Sequence, residues 1–144
     1  MPTTWRVVRR RADDDRGATL VEFAFAAVVY FLFIFGTMDF GRMIFDYNIV
    51  SSAARDGVRW ASVRGASSDH PQVGGATEAD VKAYVVGRSL GLLTASDVTV
   101  TWIPSNQAGG IVQVQTQYNF TSVVPFLPQS VTNLQSTATT TILR

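Results

Sequence analysis

The chain has 144 residues, enough for one domain of ordinary size, and its formal net charge of +1 excludes a strong general attraction to nucleic acid. It has no cysteine, which excludes disulfides, thiolate metal sites and a cysteine nucleophile. Charged residues make up 16%, against the roughly 25% of soluble domains. They are also unevenly placed, since none lies between Glu22 and Asp39.

Residues 1–16 form a charged segment ahead of that gap. They contain five arginines and three aspartates, together with Pro2, and show no apolar periodicity. Such a segment cannot bury enough apolar surface to order itself. The sequence therefore predicts a disordered basic tail.

The apolar run from Ala18 to Met38 is the strongest signal in the sequence. As a helix it spans about 31 Å, which matches the roughly 30 Å hydrocarbon core of a bilayer. The alternative is a buried core helix, but a soluble chain this short could hardly surround such a helix on every side. The arginines ahead of the run place the N-terminus in the cytoplasm and everything after Met38 beyond the membrane.

The helix is predicted to continue past the membrane, because residues 39–63 contain no proline. Gly41 and Gly57 weaken this prediction. Apolar residues recur at three- and four-residue steps and predict one helix face. They are Phe40, Ile44, Tyr47, Val50, Ala54, Val58 and Ala61. An amphipathic extension of this kind needs a partner surface.

The remaining residues, 64–144, predict a small head with one helix and a sheet. Thr77 to Asp80 resembles a capping box that opens a second helix, and Gly91 is its predicted C-cap. From Asp97 the apolar period becomes two, which predicts a hairpin turning at 104–110 and a last strand over 133–143. The segment 120–128 carries two prolines and fits an edge or a crossing loop. The expected fold is α+β, with three or four antiparallel strands packed on the helix extension.

Three stretches together resemble a known family. They are RGATLVEFAF at 16–25, MDFGRMIFDYNIVSSAARDGVRWA at 38–61 and TATTTILR at 137–144. A basic leader that ends in Gly17, with Glu22 fifth after it and then Phe23, resembles type IV prepilins of the Flp (Tad) subgroup. The whole set resembles TadE-like proteins, the minor pseudopilins of the tight-adherence pilus, with a pilin-like fold.

The resemblance implies that a prepilin peptidase cleaves between Gly17 and Ala18. Other pilins and pseudopilins, the inner-membrane assembly platform and the lipid bilayer are the further implied partners. The implied place is the bacterial cytoplasmic membrane, and the implied role is pilus initiation, assembly and adhesion without catalysis or cofactor. Four parts follow: a leader (1–17), a membrane-spanning half (18–38), an amphipathic extension (39–63) and an extracytoplasmic head (64–144).

A physical argument explains why Glu22, an acidic residue, lies within the apolar run. Cleavage would turn the Ala18 amide into an ammonium with a reference pKa of about 7.7–8.0. Glu22 lies one helical turn further on, on the same helix face. The hypothesis is that Glu22 and Phe23 act in assembly, with Glu22 pairing with this amine and setting the register between subunits.

Several alternatives stay open on sequence grounds. The three alternatives to a pseudopilin are an unprocessed single-pass anchor for a binding module, a secreted protein and a membrane-tethered enzyme. Small residues, including Ser51, Ala54 and Gly57, favour close helix packing, either with another subunit or with the chain's own sheet. Asp39 and Arg42 are expected to mark the membrane surface rather than to form a contact with another subunit. His70 is expected to be a solvated loop residue rather than part of a catalytic or metal site.

Overall fold

The computed structural model describes residues 8–66, 75–123 and 132–143, with only the backbone for 8–16. Residues 1–7, His70 and the rest of the 120–128 segment after Val123 lie outside the described residues. The elements in chain order are α1 (Val8–Ser62), α2 (Glu78–Arg88), a short 3-10 turn (Ala95–Asp97), β1 (Val98–Ile103), β2 (Ile111–Asn119) and β3 (Asn133–Thr141).

Helix α1 has 55 residues and is about 82 Å long. The disorder predicted for the basic tail is wrong for residues 8–16, which continue the helix without a break. Propagation from an existing helix needs no new nucleus and gains one backbone hydrogen bond per residue, so the apolar run can extend its helix backwards. Gly41 and Gly57 do not interrupt it.

The two halves of α1 differ in what covers them. No described side chain from Gly17 to Met38 is buried, and Asp39 is the first that is. From Asp39 to Ser62 the helix packs against the sheet and α2. The helix thus has a bare half and a head-bearing half.

The sheet is antiparallel with the strand order β1-β2-β3. Val100 pairs with Val114, and Val114 pairs with Ala138, so these side chains share one face of the sheet. That face is buried in the core, where valines predominate, while the threonines and glutamines between them lie mostly outside. The alternating pattern and the packing of the sheet on α1 are confirmed.

Helix α2 begins at the predicted capping box. The Thr77 hydroxyl accepts a hydrogen bond from the Asp80 N–H at 3.3 Å, and Asp80 Oδ2 accepts one from the Thr77 N–H at 2.9 Å. The hydrogen bonds from the Thr77 hydroxyl and N–H lower the pKa of Asp80 below its ordinary value. The box satisfies two backbone donors at the helix start.

The end of α2 differs from the prediction that Gly91 is its C-cap. The helix ends at Arg88, and the cap is Ser89, whose N–H donates to the Val86 carbonyl. Leu90 and Gly91 follow with φ of 54° and 84°. The C-cap, Ser89, is fully buried and lies two residues earlier than the predicted Gly91.

The predicted apolar face of residues 39–63 is buried only in its C-terminal part, from Val50 onward. Val50 and Ala54 are fully buried, as are Val58 and Ala61 to within a few per cent, but Phe40 is 58% exposed. Ile44 and Tyr47 are each 44% exposed. The row that faces the head continues downward from Val50 through Asp46 and Met43 to Asp39, all buried or half-buried. Asp46 and Asp39 in this row are polar. The apolar pattern of the sequence therefore pointed to the neighbouring row, Phe40, Ile44 and Tyr47, which is exposed.

Candidate functional site

The residues predicted for processing lie together on the bare half of α1. Gly17 and Ala18 are helical and exposed. A Cβ added at Gly17 would meet no heavy atom within 4 Å outside its own helix. An alanine at this position is therefore sterically neutral in the folded chain and favours the helix by about 1 kcal/mol.

Glu22 and Phe23 follow one turn later on the same bare surface. Both are exposed, Phe23 to 71%. No head residue that the structure describes covers them, so both side chains are exposed on the helix surface. The segment Gly17–Ser62 contains a stretch long and apolar enough to cross a membrane.

The three small residues predicted for close packing contact the chain's own head. Ala54 is fully buried, and a Cβ built on Gly57 would lie 2.5 Å from Val85 Cγ2 on α2. The Ser51 and Ser136 hydroxyls are 3.3 Å apart. Intramolecular packing, one of the two alternatives left open by the sequence, is what the structure shows for these positions.

The close approach at Gly57 predicts a sensitive position. Gly57→Ala gains about 1 kcal/mol of helix propensity but forces Val85 to move, and overpacking of this kind costs about 1–3 kcal/mol. We expect Gly57→Val, which adds more volume and a β-branch, to lose at least about 3 kcal/mol in free energy of unfolding. Chemical denaturation of the full chain in detergent micelles measures both changes.

Val85 supplies the control for Gly57. If the two side chains compete for one space, Val85→Ala in the Gly57→Ala background should cost less than Val85→Ala alone. Additive losses in the two variants would contradict the contact. Gly41→Ala, at a position where a Cβ meets nothing within 4 Å, should not destabilise the chain.

The sequence missed the function of Asp39. This residue directly follows the apolar run, yet its side chain is only 2% exposed. Its Oδ2 accepts hydrogen bonds from the Val123 N–H at 2.7 Å and the Ser122 hydroxyl at 2.8 Å. Ser122 and Val123 follow β2, more than 80 residues further along the chain. The sequence predicted only a marker of the membrane surface here, whereas the structure shows Asp39 bonded to the head of its own chain.

Arg42 completes this arrangement from the next turn of the helix. Its Nη1 lies 3.2 Å from Asp39 Oδ1, and its guanidinium carbon is 5.3 Å from the centre of the Phe120 ring. Phe120 is buried, whereas Arg42 is 54% exposed. We call Asp39, Arg42, Ser122 and Val123 the Asp39 clamp. The clamp joins the segment after β2 to α1 at Asp39, where the bare half of the helix ends.

Hydrophobic periodicity could not reveal the clamp, because its central residue is an acid on a core position. The available signal was the 3–4 spacing of Asp39, Met43, Asp46 and Val50, which continues the buried row of α1. Within residues 17–66, 75–123 and 132–143, no group of three or more His, Cys, Asp or Glu side chains is arranged to hold a metal ion.

Comparison with known proteins finds one family whose model matches part of the chain. The model of the family described as TadE-like protein matches residues 17–59, from the predicted cleavage glycine to near the end of α1. Searches of curated proteins and of solved structures give no significant match. TadE-like proteins are structural components of the Tad pilus, and with the apolar helix this indicates a membrane-anchored, Tad pilus-associated protein. The family match over residues 17–59 agrees with the resemblance to TadE-like proteins seen in the sequence.

Proposed function

We propose that the chain is a minor pseudopilin of a Tad pilus, cut by a prepilin peptidase after Gly17. In this proposal it lies in the bacterial cytoplasmic membrane with its N-terminus in the cytoplasm and its head outside. It acts in pilus initiation, assembly and adhesion through other pilins, pseudopilins and the inner-membrane assembly platform. It has no catalytic role.

One observation carries the proposal. Among the described residues, no side chain is buried in the helix half from Gly17 to Met38, which holds Ala18 and Glu22, while the other half is packed against the head. A bare apolar helix is what lateral packing in a membrane or a filament requires. The Asp39 clamp at the boundary lets the helix carry the head as one body.

An unprocessed single-pass anchor for a binding module is the alternative. It shares the membrane helix and the head, but it gives Gly17 no role. Glu22 then serves only as an acid near the end of the span, and its cost of insertion has no compensating partner.

The N-terminus of the protein recovered from its host membrane distinguishes the two functions. We expect intact-mass spectrometry to find a chain that begins at Ala18. In cells that contain the peptidase, Gly17→Ala should retain residues 1–17, because the added methyl group obstructs the peptidase while leaving the substrate helix unstrained.

Gly36→Ala is the matched control for Gly17→Ala. Gly36 lies in the same exposed helix half, and a Cβ there likewise meets nothing within 4 Å. This variant should be cut as efficiently as the unaltered chain. Complete leader removal from Gly17→Ala, or a native chain that begins at Met1 or Pro2, would overturn the processing proposal.

A further inference from the structure

A cleft lies at the end of the head opposite the Asp39 clamp, between the last turns of α1, helix α2 and the segment after β3. Its volume is about 480 Å³, within the roughly 300–1,000 Å³ of typical ligand pockets. Arg59, one of its lining residues, is about 30 Å further along α1 than Asp39. The cleft is therefore remote from the processing segment and from the clamp.

Two aromatic rings form one wall of this cleft, and their planes are already in contact with other groups of the chain. Trp60 and Tyr84 stack with ring centres 5.2 Å apart, and the Arg64 guanidinium lies 4.4 Å from the Trp60 centre. The Tyr84 hydroxyl accepts a hydrogen bond from Arg88 Nη2 at 3.2 Å. Flat stacking of a sugar ring on this wall is thus disfavoured.

The charge of the cleft is unbalanced. Arg59 and Arg88 both line it and are exposed, and neither forms a salt bridge with any residue that the structure describes. Asp56 is the one acid among the lining residues. The hydrogen bond to Tyr84 raises the pKa of Arg88, and the Asp56 carboxylate acts in the same direction. Two guanidinium groups and one carboxylate leave a net positive cleft.

Exposed apolar side chains flank these charges. Val63 and Leu143 line the cleft and are 44% and 68% exposed. Leu143 is held in place because its N–H donates to the Ser62 carbonyl at 2.8 Å. The cleft therefore offers exposed apolar side chains beside the two arginines.

We propose that this cleft binds a segment of a partner protein in which carboxylate and apolar side chains alternate. Arg59 and Arg88 take the carboxylates, since a guanidinium presents a fork of donors that matches them. Val63 and Leu143 pack against the intervening apolar side chains. The Trp60–Tyr84 stack keeps Arg88 in place through the Tyr84 hydroxyl.

Binding of short labelled peptides to the full chain in zwitterionic detergent micelles tests this inference. The probe is an acetylated peptide of alternating leucine and glutamate, and its partner probe has glutamine in place of glutamate. Fluorescence anisotropy should show at least about tenfold tighter binding of the glutamate peptide, since two charge-assisted contacts are lost with glutamine. Raising the salt concentration should weaken that preference.

Single substitutions assign the binding to the cleft. Arg59→Gln should weaken binding of the glutamate peptide at least about fivefold. Arg55→Gln, the matched control, should change it less than twofold, because Arg55 is exposed on the same helix but does not line the cleft. Asp56→Asn should tighten binding severalfold by removing the competing carboxylate, an effect that a folding defect cannot imitate.

Three results would overturn the proposal. The first is equal affinity for the glutamate and glutamine peptides. The second is an equal loss in the Arg55→Gln and Arg59→Gln variants. The third is tighter binding of a galacturonate trimer than of the glutamate peptide, which would assign the cleft to an acidic glycan instead.

Discussion

Asp39→Ala is expected to lower the free energy of unfolding of the head by about 2–4 kcal/mol. The change leaves the Val123 N–H and the Ser122 hydroxyl without the carboxylate that accepts their hydrogen bonds. Both hydrogen bonds are part-buried, so each donor that loses its acceptor costs about 1–2 kcal/mol, in the lower part of the range for a buried group. Against a typical total of about 5–15 kcal/mol, this is a large fraction. Denaturation of the full chain in micelles, followed by the fluorescence of Trp60 on α1 and Trp102 in the head, measures it.

Three variants show whether the loss belongs to the clamp. Ser122→Ala removes one hydrogen bond and should cost about 0.5–1.5 kcal/mol. Asp39→Asn keeps an acceptor but no charge and should lie between the two. Asp46→Ala, two turns along the same half-buried row, should cost less than about 1 kcal/mol, because no hydrogen bond to Asp46 is seen in the described part of the chain. Equal losses at Asp39 and Asp46 would show that the clamp adds nothing beyond general burial.

Asp39 also shows which part of the buried face of α1 could not be predicted from the sequence. The upper extension was predictable because Val50, Ala54 and Val58 are apolar at helical spacing, and the sheet covers them. Nearer the membrane-spanning half, the same row contains Asp39, whose carboxylate accepts hydrogen bonds from Ser122 and Val123. Those donors are more than 80 residues away in sequence, so no local pattern announces them.

The ends of α2 show the same contrast between local and long-range causes. Its start was predictable because Thr77 and Asp80 satisfy each other's backbone donors within four residues. Its end depends on the burial of Ser89 in the folded head, which outweighs the preference of Gly91 for a C-cap. The cleft is beyond prediction for a similar reason, since Trp60 and Tyr84 meet only when α1 and α2 pack together.

The clamp and the bare helix bear on the proposed function together. A head that could swing on α1 would present its surfaces to neighbours in many orientations, and ordering it would cost free energy at each contact. Asp39 fixes the head at the boundary between the two halves of the helix. Under the proposed function, the packing of the bare half against neighbouring subunits, to which Glu22 contributes, would then set the orientation of the head.

Glu22→Ala is expected to reduce incorporation into assembled pilus complexes at least about tenfold without blocking leader removal. Under the proposed processing, the new ammonium at Ala18 has Glu22 one turn away, in its own chain or a neighbour's. Removing one member of an ion pair in a low-dielectric setting costs about 3–5 kcal/mol, because the other charge stays uncompensated. The amount of the chain that co-purifies with other pilus subunits after mild detergent extraction measures incorporation, and intact mass measures cleavage.

A double-variant cycle distinguishes this pairing from a general need for an acid in the span. With the leader retained through Gly17→Ala, no ammonium exists at Ala18, so Glu22→Ala should cause no further loss. Thr37→Ala is the control for removal of a polar group from the same half, since the hydrogen bond seen for the Thr37 hydroxyl in the described part of the chain is to the Phe33 carbonyl of its own helix, at 2.8 Å. Full incorporation of Glu22→Ala, or equal losses with and without the leader, would contradict the pairing. The second result would assign Glu22 a role that does not depend on the new N-terminus.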